Sequence, residues 1–336
     1  MRPTLRVAAW NVEWFNALFD DRGAMLDDDA PSARHGITRG AQLAALRRIF
    51  AAIDADAVLV VEAPDTGGRR SSARALERFA AGAGLRARRA VTGFPSGTEQ
   101  ELTLLHDPDR LGVRHDPQDG GEAAPRFDGS FGAVVAEGSP PEPVRFARPP
   151  LELALTTAGG MALRLIGVHV KSKAPHGAQD AAGVARVALL NRRKQLRECL
   201  WIRARVEAHL AAGDPLVVLG DFNDGPGLDA YEAEFGRSGV EVVLGEPPAA
   251  LHDPHAAMAL AQRVGIVPTT ARFWLGGRWF EALLDFIMVS PDLAARSPAW
   301  RIWHPFNDPA CYGDPVLREA LLAASDHFPV TLDLPL

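Results

Sequence analysis

The chain has 336 residues, 47% of them hydrophobic, enough to bury a sizeable core as one large domain or two small ones. A net charge of −6 and a pI near 5.9 argue against a histone-like or polybasic binder, yet leave room for a local basic groove. No apolar run approaches the ~20 residues of a membrane-spanning helix. MRPT passes straight into LRVAAWNVEW, so we expect a cytoplasmic protein without a signal peptide or transmembrane segment. Cys199 and Cys311 are too few for a disulfide framework or a zinc cluster and read as two reduced thiols.

Leu5–Trp10 reads as a strand ending in Asn11-Val12-Glu13-Trp14-Phe15. Asn11 and Glu13 share a face there and either could approach a metal; Glu13 reads equally well as a solvated strand-end carboxylate. Phe19–Ser32 is acidic and loop-like. A helix capped by Thr38 follows, with Leu43, Leu46, Phe50 and Ile53 on one apolar face. Ala57–Val61 is an apolar strand that delivers Glu62. Arg69–Arg89 is arginine-rich, helical over Ala73–Ala81, and reads mainly as a solvated face. Glu101–His106 is a further strand, and Asp116–Pro143 a long surface excursion rather than a domain linker. Glu152–Thr156 and Ala162–Val170 form a hairpin around Ala158-Gly159-Gly160.

The second hairpin strand runs into His169, Lys171 and Lys173, a company that suggests an anionic substrate. Gln179–Ala212 reads as a helix stopped by Gly213, with Cys199, Ile202, Val206 and Leu210 on one face. Arg192, Arg193 and Lys194 near its middle read as solvated. Leu216–Asp224, LVVLGDFND, is a buried strand that presents Asp221 and Asn223 at its C-terminal end, before a strong turn signal. A carboxylate and a carboxamide so placed can hold a divalent cation or orient a water. Gly276-Gly277 within Arg272–Ser290 marks a two-residue hairpin. Phe273, Trp274, Trp279 and Phe280 fit hairpin packing better than a base-stacking platform. Asp285 sits inside the apolar Leu283–Val289, where a carboxylate needs a partner. Ser325-Asp326-His327 precedes the closing strand Phe328–Leu334 and offers a ligand beside a general base.

In that order, WNVEWF, VVE, GVHVKSK, LGDFND, LDFIMVS and SDHFPV resemble the motifs of the endonuclease/exonuclease/phosphatase family. That is the fold of DNase I-like enzymes, apurinic endonucleases, sphingomyelinases and inositol polyphosphate 5-phosphatases. The likeness runs from Val7 to Val330, and NVEWF and HVKSK most resemble a bacterial, nuclease-like branch. It implies a single domain over residues 1–336, an α/β fold. The architecture would be a four-layer αββα sandwich of two mostly antiparallel β-sheets with helices outside.

Matched motif by motif, the resemblance implies a metal-dependent phosphodiesterase. Glu62 would be the principal ligand of Mg²⁺ or Mn²⁺, with Asn11 and Asp326 close to the same ion. Asp221 would align or activate the attacking water, and Asn223 would orient the phosphate. His327, held by Asp285, would be a general base or a phosphate-stabilising imidazole. His169 would contact the phosphate or protonate the leaving oxygen. Arg148, Lys171 and Lys173 are the cations available to a nucleic-acid substrate. Val61 stands where the family usually has Gln. A Mg²⁺-dependent nuclease acting as a monomer is the leading expectation. Hydrolysis of lipid, inositol or other small phosphoesters is the alternative, and a non-catalytic binding module is disfavoured by the full set of polar residues.

Overall fold

The computed structural model describes residues 4–135, 140–175, 177, 180–229, 232, 235–261 and 267–336. The strands are β1 (Thr4–Asn11), β2 (Ala57–Ala63), β3 (Arg89–Thr92), β4 (Glu101–His106), β5 (Leu111–His115), β6 (Phe131–Ala133), β7 (Glu142–Val144), β8 (Leu151–Thr157), β9 (Ala162–His169), β10 (Leu216–Asp221), β11 (Ala271–Leu275), β12 (Arg278–Ala282), β13 (Asp285–Val289), β14 (Ala299–Ile302) and β15 (Val330–Pro335). Six of them form one sheet, β14-β15-β1-β2-β4-β3, and five a second, β13-β10-β9-β8-β5. Each sheet has one parallel pair, β1 with β2 and β9 with β10, and is otherwise antiparallel.

Alternation along the strands builds the layers. In β1, Leu5, Val7 and Ala9 point into the space between the sheets, where they meet Leu165, Val217, Leu219 and Ile287. Ala8 and Trp10 point the other way, onto helix α1 (Arg39–Ile53) and helix α2 (Ser72–Gly82) through Leu43, Leu46, Phe50, Leu76 and Phe79. Leu216 and Val218 of β10 likewise turn outward onto Cys199, Ile202 and Val206 of helix α3 (Ala181–Ala212). Both sheets therefore carry apolar side chains on both faces, which is why their strands read as continuous apolar runs. Truncating one such side chain, as in Leu219→Ala, removes ~2–5 kcal/mol. The expected four-layer sandwich is what this packing produces.

Local signals set the helix ends. Thr38 Oγ1 accepts the Ala41 N–H at the start of α1. Asp180 caps α3, and Gly213, with φ of 75°, ends it. The expected start of α3 at Gln179 lies outside the described residues. The reading of Arg192 as solvated is corrected: it is fully buried, as is Arg205. Arg205 donates to the carbonyls of Gln118 and Ala124, each at 2.6 Å, and so pins the excursion after β5 onto α3. Phe127 and Phe131 from that excursion pack on Trp201, so it is anchored rather than merely superficial. No helix among the described residues is long and apolar enough to cross a membrane.

Candidate active site

Register brings the polar residues together. Parallel pairing sets Asn11 beside Val61, one residue before Glu62, and Asp221 beside His169. β13 runs antiparallel to β10, so its first residue, Asp285, lies opposite Asp221. β15 runs antiparallel to β1, and Ser325–His327 just before it return to the same edge. Ser325 Oγ donates to Asn11 O (2.7 Å) and accepts from His327 N (3.0 Å), and Trp10 Nε1 donates to His327 O (3.0 Å). Gly220 permits the approach of β10 to β9: its φ is 134°, and a Cβ there would lie 2.1 Å from Val168 O.

Asp221 is the hub. Its Oδ2 accepts from Asn11 Nδ2 (3.0 Å) and Asn223 Nδ2 (3.1 Å), and its Oδ1 from Asn223 N (2.7 Å). His169 Nε2 lies 3.6 Å from the same Oδ2 and 4.0 Å from Glu62 Oε1. Burial pushes the Asp221 carboxyl up to about 7, with the His327 charge opposing and the Asp285 charge reinforcing. His327 Nδ1 is 2.7 Å from Asp285 Oδ2, which fixes the ring and leaves Nε2 toward the site. Burial alone would lower His327, but the Asp285 carboxylate, helped by Asp221 and Asp326, raises it well above the usual range. His169 goes the other way: burial and the charges of Arg148 and His327 hold it neutral. Two imidazoles at one site thus carry opposite protonation, set by their neighbours.

Trp14, Glu62 and Asn223 have φ of 56°, 60° and 50°. A left-handed backbone costs a residue with a side chain ~1–3 kcal/mol and persists where its surroundings hold it. At Glu62 the pairing of β2 with β4 shifts between Val61 and Ala63, and the Trp14 N–H donates to Glu62 Oε2 at 2.8 Å. Burial is the main cause that raises the Glu62 carboxyl. Glu13 is not a solvated strand-end group: it pairs with Arg34, accepts from Asp326 N, and is pushed up to about 7 by burial and by Asp326.

A hard, oxygen-ligated divalent cation fits this donor set. Glu13, Glu62, Asp221, Asp285 and Asp326 crowd one edge, two of them raised to about 7. Asp285 Oδ1 is buried without a hydrogen-bond partner among the described residues. Asp221, Asp285 and His327 also present ligand atoms within 4.8 Å of one another. His327 Nδ1 is already committed to Asp285 at 2.7 Å, which leaves the carboxylates beside the trio as the freer oxygen donors. Asn11 Oδ1 accepts from Glu13 N at 3.1 Å and keeps a second lone pair. Val61, where the resemblance led us to expect Gln, is fully buried between the sheets and offers Glu62 no hydrogen bond.

The expected substrate cations divide. Arg148 donates to Gln100 Oε1 (2.6 Å) and Val170 O (3.3 Å) and faces Glu198, Asp221 and Glu62. Lys171 is lowered by burial and by Arg148 and Lys194, so positive charges crowd that flank. Lys173 is instead held by Asp224 at 2.6 Å and Asp229 at 2.5 Å. Asn223 Nδ2 donates to Asp221 Oδ2 and to Val170 O, each at 3.1 Å, so one hydrogen holds Asp221 and the other the chain just beyond β9.

Sequence reasoning missed a polar stripe on α3. Gln195 Nε2 donates to Lys171 O (3.0 Å) and Asn223 O (2.8 Å), tying the ends of β9 and β10 together. Glu198 Oε2 accepts the Lys171 N–H at 2.7 Å, and burial raises its carboxyl to about 7. Arg192 Nη1 bonds Gln195 Oε1 (2.8 Å) and pairs with Asp224 Oδ2 (3.0 Å). The available signal was spacing: positions 192, 195 and 198 recur at helical period beside the apolar 199, 202 and 206.

A sandwich that gathers a buried Asp–His pair, a second, neutral histidine and an acid cluster at one sheet edge has the makings of a phosphoester hydrolase. The profile described as the Endonuclease/Exonuclease/phosphatase family matches residues 8–327, and the chain belongs to that family of phosphoester-hydrolysing enzymes. Solved structures share its fold. TDP2 from Caenorhabditis elegans aligns with a TM-score of 0.53 at 12% identity, over 99% of this chain and 74% of that one. D. rerio TDP2 complexed with a single strand DNA product aligns at 0.52 and 15%, over 98% of each chain. An endonuclease/exonuclease/phosphatase family protein from Bacteroides thetaiotaomicron aligns at 0.51 and 14%, over 99% and 98%. A search of curated proteins found no match.

Proposed function

We propose that this enzyme is a Mg²⁺- or Mn²⁺-dependent phosphodiesterase whose substrate is nucleic acid and whose nucleophile is water. The observation that carries the reading is the convergence of Asp221, held by Asn11, and His327, held by Asp285 at 2.7 Å, with ligand atoms within 4.8 Å of one another at one acid-rich edge. Asn11, Glu62 and Asp326 would hold the cation, which supplies charge neutralisation at an otherwise repellent phosphate. Asp221, fixed by Asn11 and Asn223, aligns the water and takes its proton as oxygen attacks phosphorus. His327 donates from Nε2 to the charge that develops on the phosphoryl oxygens and has a proton to give to the departing oxygen; Asp285 keeps it protonated. His169, neutral, offers an N–H without adding a second cation. Proton transfers of this kind contribute ~10²–10⁴ each.

Arg148 and Lys171 support a polyanionic substrate, as does the single strand DNA product bound to the D. rerio relative. The test is turnover of labelled single- and double-stranded oligonucleotides with Mg²⁺ or Mn²⁺, beside sphingomyelin and inositol phosphates. Cleavage of an oligonucleotide at the higher rate is the expected result. Turnover of a lipid or inositol substrate with no oligonucleotide cleavage at low salt would overturn the nucleic-acid reading.

A further inference from the structure

β11 and β12 form a hairpin separate from both main sheets. Gly276 and Gly277, with φ of 59° and 80°, make the tight turn between them. Alternation then sorts its aromatic residues onto two faces. Phe273 and Phe280 pair across the hairpin, centroids 5.4 Å apart, and pack with Ala271, Ala282, Leu284 and Leu228. Trp274 and Trp279 pair on the other face, edge to face at 5.3 Å. Those two stay 60% and 54% exposed, and Leu275 beside them 59%. The expectation of simple hairpin packing therefore holds for the phenylalanines and not for the tryptophans.

The exposed face is aromatic with its charge balanced, since Arg272 pairs with Glu281 opposite it at 3.2 Å. The Arg272 guanidinium lies 3.8 Å over the Trp279 ring and 5.0 Å from that of Phe306, itself 41% exposed. Arg278 stands exposed beside the turn. The hairpin is also fastened to the hydrolytic residues through its backbone. Arg272 N donates to Asp326 O (2.7 Å), Phe328 N to Thr270 O (2.6 Å), and Asp285 N to Thr270 Oγ1 (2.9 Å). Ala271 pairs with His327, and Trp274 follows three residues on, about 10 Å along the strand.

We propose that Trp274 and Trp279 form a stacking platform for an unpaired nucleobase of the strand whose phosphate is being hydrolysed. This rests on the nucleic-acid reading above and narrows it to single-stranded or frayed substrate. An exposed indole, here held edge to face by its partner, offers a flat apolar surface that a base can cover without sequence preference. A bilayer surface fits less well. The apolar tip amounts to two indoles and one leucine, and Arg278 would enter with them.

The test compares a labelled oligothymidylate with an abasic strand of equal length and charge, by fluorescence anisotropy in EDTA so that no cleavage intervenes. The full chain should bind the base-bearing strand about ten-fold more tightly. Trp274→Ala/Trp279→Ala should erase that difference, Trp274→Phe/Trp279→Phe should restore most of it, and turnover of methyl 4-nitrophenyl phosphate should stay unchanged in both. Equal binding of the two strands by the unaltered chain would overturn the platform, as would discrimination that survives the alanine pair. Tryptophan-dependent sedimentation with phosphatidylserine vesicles, without base discrimination, would assign the face to membranes instead. Base discrimination without any strand cleavage would leave the platform standing and remove the nuclease reading.

Discussion

The two ends of the sandwich use the same residue types to opposite effect. At the end away from the site, the buried acids face arginine. Asp56 pairs with Arg86 and Arg110, Asp107 with Arg86 and Arg88, and Asp333 with Arg6. At the catalytic end, acids face acids: Asp285 reinforces the upward shift of Asp221, and Asp326 raises Glu13 and Glu62. One end is compensated; the other carries an excess of negative charge and three left-handed backbones around it. Charge balance at a strand end is structural, and charge imbalance held in place by a rigid fold marks the place where something cationic belongs.

The comparison is most sharply broken by removing its hub. Asp221→Asn should lower kcat by ~10²–10⁴ at saturating metal. Glu62→Ala should chiefly raise the metal concentration required, because a ligand and a water-aligning group act on different quantities. Metal titrations of both variants check this, and loss of metal affinity alone in both would contradict the roles.

Stability should respond with opposite sign at the two ends. Asp56→Ala leaves Arg86 and Arg110 without their shared partner. It should cost about 2–3 kcal/mol, less than the ~3–5 of a fully buried pair because both arginines reach water. Asp221→Asn in EDTA should instead raise Tm near neutral pH. Carboxyls held near 7 when folded favour the folded state while protonated. Their contribution is complete below the ordinary carboxylate range and lost as pH rises through about 7. Melting curves from pH 4 to 8 should therefore fall toward neutrality in the unaltered chain and fall less in Asp221→Asn. A rise with pH would be the wrong sign.

Smaller effects belong to the supporting residues. Gln195→Ala should lower kcat by about ten-fold, since one amide holds the carbonyls at the ends of both β9 and β10. A change confined to KM would speak against that positioning role. The smallest contrast lies among the cations. If Arg148 and Lys171 are the cations that meet the strand, oligonucleotide binding should show a shallow log–log salt slope, about −2. Arg148→Ala should flatten it by about one, and Lys173→Ala should leave it unchanged because Asp224 and Asp229 already neutralise Lys173. A slope that flattens equally in both would mean that Lys173 reaches the strand.

Much of this was legible because the strands announce their own ends. LVVLGD and AVLVVE change from apolar to acidic where each strand leaves the core, and the order of such endings carried the resemblance. What stayed hidden depends on partners far along the chain. Arg192 reads as one of a solvated run until Asp224 is found 3.0 Å away. Lys173 reads as a substrate cation until the same Asp224 is seen to hold it. The bonds of Asn223 Nδ2 to Val170 O and Asp221 likewise join residues that the sequence does not show to be neighbours. Trp274 and Trp279 are indistinguishable in composition from Phe273 and Phe280; only the side of the hairpin that packs tells them apart.

The central claim, that the uncompensated acids exist to hold a hard cation for hydrolysis, is tested most directly by assaying oligonucleotide cleavage in metal-stripped protein while Mg²⁺, Mn²⁺ or Zn²⁺ is titrated back. Activity should be absent in EDTA and return with Mg²⁺ or Mn²⁺. Full activity without added metal, or restoration by Zn²⁺ alone, would contradict it.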